Sequence, residues 1–108
     1  MEDFIINKAG AKIYKDITRH KLLSLPVLKN NTEQGIVYEV LSTGVLGSQR
    51  TPIITVKEKN GEVVAYRLPD ELRDWVEHSM GMKLSGFDVF PSEIEFGIID
   101  NHAYAEIL

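Results

Sequence analysis

The feature that most constrains this chain is Lys59-Asn60-Gly61, a turn signal set between two apolar runs. Asn-Gly in that setting marks a β-hairpin. A two-residue loop would set Thr55 opposite Tyr66 and Ile54 opposite Arg67. A three-residue loop, with Gly61 left-handed in a bulge, sets Val56 opposite Val64 and Ile54 opposite Tyr66. The second register gathers the apolar side chains, with Pro52 and Leu68, on one face. It leaves Ile53, Thr55, Lys57, Val63, Ala65 and Arg67 on the other. A slip of one residue would scramble that segregation, so the bulged register is expected despite Glu58 facing Glu62.

The hairpin belongs to a longer unit, Gly35 to Leu68, that reads as three antiparallel strands. Ile36, Tyr38 and Val40 point one way and Val37, Glu39 and Leu41 the other. Both faces are more apolar than a solvated sheet needs, so cover is expected on each side, from a helix, barrel closure or a partner chain. Ser42 to Thr51, with two glycines, small hydroxyl residues and Arg50, is expected to be a polar loop. It serves as a plain connection or as a ligand loop.

At 108 residues the chain is expected to form a single domain over 1–108. Without cysteine it has no disulfide framework, thiolate nucleophile or cysteine metal site. The acidic residues near the start do not fit a signal peptide, and no apolar run approaches transmembrane length, so a cytoplasmic location with no membrane partner is expected. The net charge is −4, unevenly spread. Residues 1–67 carry ten Lys/Arg against seven Asp/Glu, a balance of +3, whereas residues 68–108 carry two against nine, a balance of −7. Such asymmetry suits a charged partner on one side, or simply a solvated surface.

Before the central unit, Phe4-Ile5-Ile6 suits a short strand. Ala11 to Leu25 has Ile13, Tyr14 and Ile17 at helical intervals and favours a helix ending before Pro26. A strand followed by a short helix fits nearly as well. Lys8, Lys12, Lys15, Arg19 and Lys21 make a basic stripe, either a solubilising face or a surface for phosphates. Lys29 to Gly35 reads as a polar loop. After the central unit, Pro69-Asp70-Glu71 opens a helix over about 69–80, with Leu72, Trp75, Val76 and Ser79 or Met80 on its buried stripe and Gly81 as its stop. Met82 to Pro91 is expected to be a loop that tucks Phe87, Val89 and Phe90 inward.

A second hairpin is expected at Ser92–Ile99 and His102–Leu108, turned at Asp100-Asn101. It sets Ile98, Phe96 and Ile94 opposite Ala103, Ala105 and Ile107. On its reverse, Tyr104 covers Gly97 and Glu95 faces Glu106, with Glu93 beside them. That acidic cluster is either tolerated at a wet face or used, to attract a basic partner or, as the lesser alternative, a hard cation through oxygen ligands.

No catalytic spacing appears. His20, His78 and His102 fall in separate elements, and serine-nucleophile, phosphate-cradling and metal-helix motifs are absent. A non-catalytic protein without metal or cofactor is therefore expected. The fold class expected is α+β and β-rich: a small antiparallel sheet or partly open barrel, one helix and a C-terminal hairpin.

The order strand (IVYEVLST), Gly/Arg loop (GVLGSQR), strand (TPIITVKEK), Asn-Gly turn, strand (EVVAYRLP) and helix (DELRDWVEHS) resembles part of an OB-fold. It is similar to the small single-stranded-DNA-binding OB proteins of phages and mobile elements, over roughly residues 35–80. The resemblance implies a basic groove with aromatic stacking platforms. Carried onto this chain, the candidates are Tyr38, Gln49, Arg50, Lys57, Lys59, Tyr66 and Arg67. A second expectation comes from a different class: a phage or mobile-element regulator or inhibitor that engages a host protein through sheet edges or through Glu93, Glu95 and Glu106. A homo-oligomer joined through strand edges is the remaining outcome.

Overall fold

The computed structural model describes residues 4–30 and 33–108. The protein is α+β, with a six-stranded mixed sheet, a two-stranded antiparallel ribbon and one α-helix. Across the large sheet the strands run β3 (Lys21–Leu22), β6 (Val63–Arg67), β5 (Thr51–Lys57), β4 (Ile36–Leu46), β7 (Ser92–Ile99) and β8 (His102–Ile107). The sheet does not close into a barrel, and β3 and β8 are its two edges.

Both hairpins have the register that side-chain segregation demands. Val56 pairs with Val64 and Ile54 with Tyr66, and Gly61 takes a φ of +90°. In the second hairpin Ile94, Phe96 and Ile98 pair with Ile107, Ala105 and Ala103. Asp100 and Asn101 both adopt the left-handed backbone that a two-residue loop requires. Tyr104 lies over Gly97 so closely that a Cβ there would come within 2.7 Å of its ring.

The expected polar loop after Leu41 is largely strand. Ser42 to Leu46 stays paired with β5 past a bulge between Val40 and Ser42, and the connection shrinks to a turn at Gly47–Arg50. Packing decides this. Val45 contacts the main core and Leu46 the smaller cluster on the opposite face, so the segment has apolar anchors on both sides.

The N-terminal segment takes the strand-first alternative, not the helix favoured from spacing. Asn7 accepts N–H bonds from Ala9 and Ala11, and Gly10 takes a φ of +98°. This turn folds β1 (Phe4–Ile6) back on β2 (Lys12–Tyr14). Asp16 then accepts from the Thr18 N–H and caps a single 3₁₀ turn, Ile17–Arg19. The chain next crosses the molecule as a strap. The Leu23 N–H donates to Arg67 at the β6 edge, and Pro26 and Leu28 both bond Ile98 in β7. Of the expected loop Lys29–Gly35, Asn31 and Thr32 lie outside the described residues.

A 3₁₀ turn at Asp70–Leu72 leads into α1 (Arg73–Leu84). The turn touches both β5 and β8, which stand three places apart in the sheet, so the sheet curls around it. Gly81 is not the stop. The helix runs three residues further, to Leu84, and ends in a Schellman motif, with Gly86 at φ +95°, its N–H on the Lys83 carbonyl and the Phe87 N–H on the Met82 carbonyl. Of the three residues expected to turn inward, Val89 and Phe90 are half-buried, whereas Phe87 is 69% exposed.

Gly81 is left as a helical glycine around which a Cβ would meet no atom within 4 Å. Gly81→Ala is therefore expected to stabilise the protein by ~0.5–1 kcal/mol, through lower backbone entropy in the unfolded chain. Chemical denaturation checks this, with an unchanged m-value.

The main core gathers Val40, Ile54, Val56, Leu68, Val76, Ile94 and Phe96 between the sheet and α1. Trp75 is half-buried there, edge-on to Phe90 and Phe96 with ring centroids 6.2 and 6.0 Å away. On the other face Ala11, Ile53 and Ala65 form a second cluster under the β1–β2 ribbon, where the Asn7 amide donates to the Thr55 hydroxyl.

Candidate nucleic-acid interface

An open cleft of about 1560 Å³ lies where β4 begins and the β5–β6 hairpin turns. Its origin is a mismatch in strand length. Edge strand β3 pairs only with Tyr66 and Arg67, so among the described residues Val63 to Ala65 have no strand partner on that side. The notch they leave is flanked by the N-terminal segment, which contributes Lys12, Tyr14, Arg19, His20 and Lys21.

Two of the aromatic candidates meet in this cleft. Tyr38 and Tyr66 sit on the helix-side face of the sheet with their ring centroids 6.2 Å apart, half-buried against the core and still lining the opening. The Tyr66 hydroxyl donates to Glu58 at 2.6 Å. That bond, followed by burial and the Glu58 charge, pushes the Tyr66 phenol up to about 12. Burial raises Tyr38 as well, with a smaller push from Glu58. Both phenols therefore stay neutral donors at physiological pH.

Lys57 and Lys59 join the tyrosines from the hairpin tip. Among the described residues Lys21, Lys57 and Lys59 make no ion pair, whereas Arg19 stacks over Tyr14 at 4.5 Å and Lys12 over Phe4 at 5.0 Å. Four carboxylates share the lining: Glu39, Glu58, Glu62 and Glu93. Glu39 and Glu93 face each other across the β4–β7 ladder. With five cationic residues against four acids, the cleft has only a small positive excess.

The other sequence candidates lie elsewhere. Gln49 and Arg50 occupy the turn at the opposite end of β5. There the Arg50 guanidinium bonds Glu77 at 3.0 Å, and its carbonyl accepts from Arg73. Arg67 donates to the His20 carbonyl at 2.9 Å and so locks β3 to β6. The acidic trio is divided. Glu93 lines the cleft and Glu106 is exposed on β8. Glu95 accepts from the Tyr104 hydroxyl at 2.5 Å and from the Gly35 N–H at 3.2 Å. Burial first and this Glu95 bond second push the Tyr104 phenol up to about 12.

Tyr14, His20 and the cleft-facing part of the basic stripe are absent from the sequence-derived site. The stripe itself is visible in the sequence, but its members can be placed only once Lys12–Tyr14 is known to be a strand. His20 is buried, and its Nε2 lies 3.0 Å from the Tyr14 amide nitrogen and 3.3 Å from the Tyr14 carbonyl oxygen.

Among the described residues no group of three or more His, Asp or Glu is placed to hold a metal ion. No helix among them is long and apolar enough to cross a membrane. No family model, curated protein or solved structure matches this chain.

Proposed function

We propose that this is a small non-catalytic binding protein whose cleft takes a single strand of nucleic acid, in the manner of OB-like modules. The observation that carries the reading is the Tyr38–Tyr66 pair, ring centroids 6.2 Å apart, in a cleft also lined by Tyr14 and by Lys21, Lys57 and Lys59, three cations without an ion pair among the described residues. Bases of any identity stack on aromatic rings at ~1–3 kcal/mol each, and unpaired lysines meet the phosphates. The four carboxylates limit the electrostatic share, so affinity rests on stacking more than on charge.

A titration of labelled single-stranded oligonucleotide by fluorescence anisotropy tests this. If about three phosphates are neutralised, log K falls with log salt at a slope of about −2. Reversing Lys57 and Lys59 to glutamate is expected to weaken binding at least ~10-fold and flatten that slope. Absence of salt-dependent binding at low ionic strength would remove the reading.

A second reading, engagement of a host protein, draws support from an uncovered strand edge at β8. The acidic face lends it less, because Glu95 is held by Tyr104 and Gly35.

A further inference from the structure

Among the described residues β8 is the longer of the two edge strands of the large sheet. The other sheet edge, β3, has two residues, and β1 of the small ribbon has three, whereas β8 has six. A two-residue hairpin closes on a hydrogen-bonded pair, here Ile99 and His102, and pairs then alternate. Gly97–Tyr104 and Glu95–Glu106 are therefore also hydrogen-bonded pairs. The Leu108 N–H on the Glu93 carbonyl continues the alternation. It follows that His102, Tyr104 and Glu106 direct their backbone groups toward β7, while Ala103, Ala105 and Ile107 direct theirs outward. Among the described residues nothing accepts from or donates to those three outward groups.

Natural edges are commonly blunted by proline, lysine, a bulge or short length. β8 has none of the first three, and its register with β7 is unbroken over six pairs. Ile107 is 45% exposed beside it.

We propose that this edge pairs antiparallel with β8 of a second copy of the chain, with Tyr104 on the two-fold axis. In that register Ala103 stands opposite Ala105 of the second copy, so the outward donors and acceptors of both residues meet their counterparts. His102 stands opposite Glu106 of the second copy, and the same pair recurs across the axis. The two His102–Glu106 contacts distinguish this alignment from the neighbouring one centred on Ala105, which leaves Glu106 facing a tyrosine. Within its own chain Glu106 stands opposite Glu95, an unfavourable like-charge pair. The His102 imidazole of the second copy gives Glu106 a hydrogen-bonding partner on the side away from Glu95. The His102 side chain is 80% exposed, with Glu71 at 3.0 Å as its only hydrogen-bond partner among the described residues. The two sheets thereby become one continuous twelve-stranded sheet, six strands from each copy.

Sedimentation equilibrium of the full chain, at concentrations up to about 1 mM, tests the proposal. A reversible monomer–dimer equilibrium is expected. Glu106→Lys should weaken the dimer roughly 10-fold by removing two His102–Glu106 contacts at ~0.5–1 kcal/mol each. It should leave the monomer's melting temperature equal or higher, since the introduced ammonium group would then face Glu95. Ala105→Pro removes an outward N–H and spares the β7 ladder, so it should abolish the dimer, with circular dichroism as the check on folding. The native chain has no cysteine. An oxidised mixture of Ala103→Cys and Ala105→Cys should therefore crosslink as a heterodimer, while neither variant crosslinks alone. A chain that stays monomeric overturns the proposal, as does a dimer indifferent to Glu106→Lys and crosslinked at other positions. Capture of a different protein by β8 with no self-association also overturns it.

Discussion

Phe96→Ala is expected to lower the melting temperature by roughly 15–25 °C, from a loss of ~3–5 kcal/mol. Phe96 has no exposed surface. Its ring is the meeting point of Trp75 on α1 and Tyr38 on β4, at centroid distances of 6.0 and 6.4 Å. Truncation would remove the transfer energy of the ring and open a void between helix and sheet that neither neighbour can fill without leaving its own contacts. A domain of this size has ~5–15 kcal/mol of stability in total, so much of it goes at once. Differential scanning calorimetry of Phe96→Ala beside Phe96→Leu checks the account, because the leucine keeps most of the volume and should cost ~1.5 kcal/mol or less. Equal losses for both would show that the edge-on aromatic geometry, and not volume, is what matters.

Gly35→Ala is the second large effect, at ~2–3 kcal/mol, and it arises from backbone crowding. A Cβ at Gly35 would stand 2.2 Å from the Phe96 carbonyl oxygen and 2.7 Å from the Tyr104 hydroxyl. One of these obstacles is main chain inside the β4–β7 ladder, so relief requires separating two strands at the heart of the sheet. The Gly35 N–H also reaches the Glu95 carboxylate that Tyr104 engages, so a shift there disturbs both bonds. Urea denaturation gives the loss directly. If Gly35→Ala were as harmless as Gly81→Ala, strands β4 and β7 would have more freedom at this point than their packing implies.

Those parts of the fold whose determinants are close in the chain are legible in the sequence. Asn60-Gly61 and Asp100-Asn101 impose their turns through backbone conformations that few residues tolerate, and apolar alternation then selects the register. Placing β7 against β4 has no such local cause. The strands are far apart in the chain and pair because both carry apolar faces to the same core. The opposition of Glu39 and Glu93 in the cleft is hidden from the sequence for the same reason. At the N-terminus the apolar spacing of Ile13, Tyr14 and Ile17 is helical, but two side-chain turns, at Asn7 and Asp16, outweigh it.

The candidate site divides along the same line. Tyr38, Lys57, Lys59 and Tyr66 share a surface because a legible hairpin and its neighbouring strand carry them. Gln49 and Arg50 belong with them only on the premise of a long loop. With that loop reduced to a tight turn, the seven residues of β5 hold Arg50 ~20 Å from Lys57. The contribution of Tyr14 and Lys21 depends on an element whose type spacing alone misjudges.

The strap from Leu23 to Leu28 has a consequence for how the protein is made. Its two anchors, Arg67 and Ile98, are translated long after it. On the ribosome the strap cannot complete its docking until Ile98 has emerged, some 70 residues after Leu28. Order in that region is therefore a late event, and its protection against hydrogen exchange during refolding should appear after that of both hairpins.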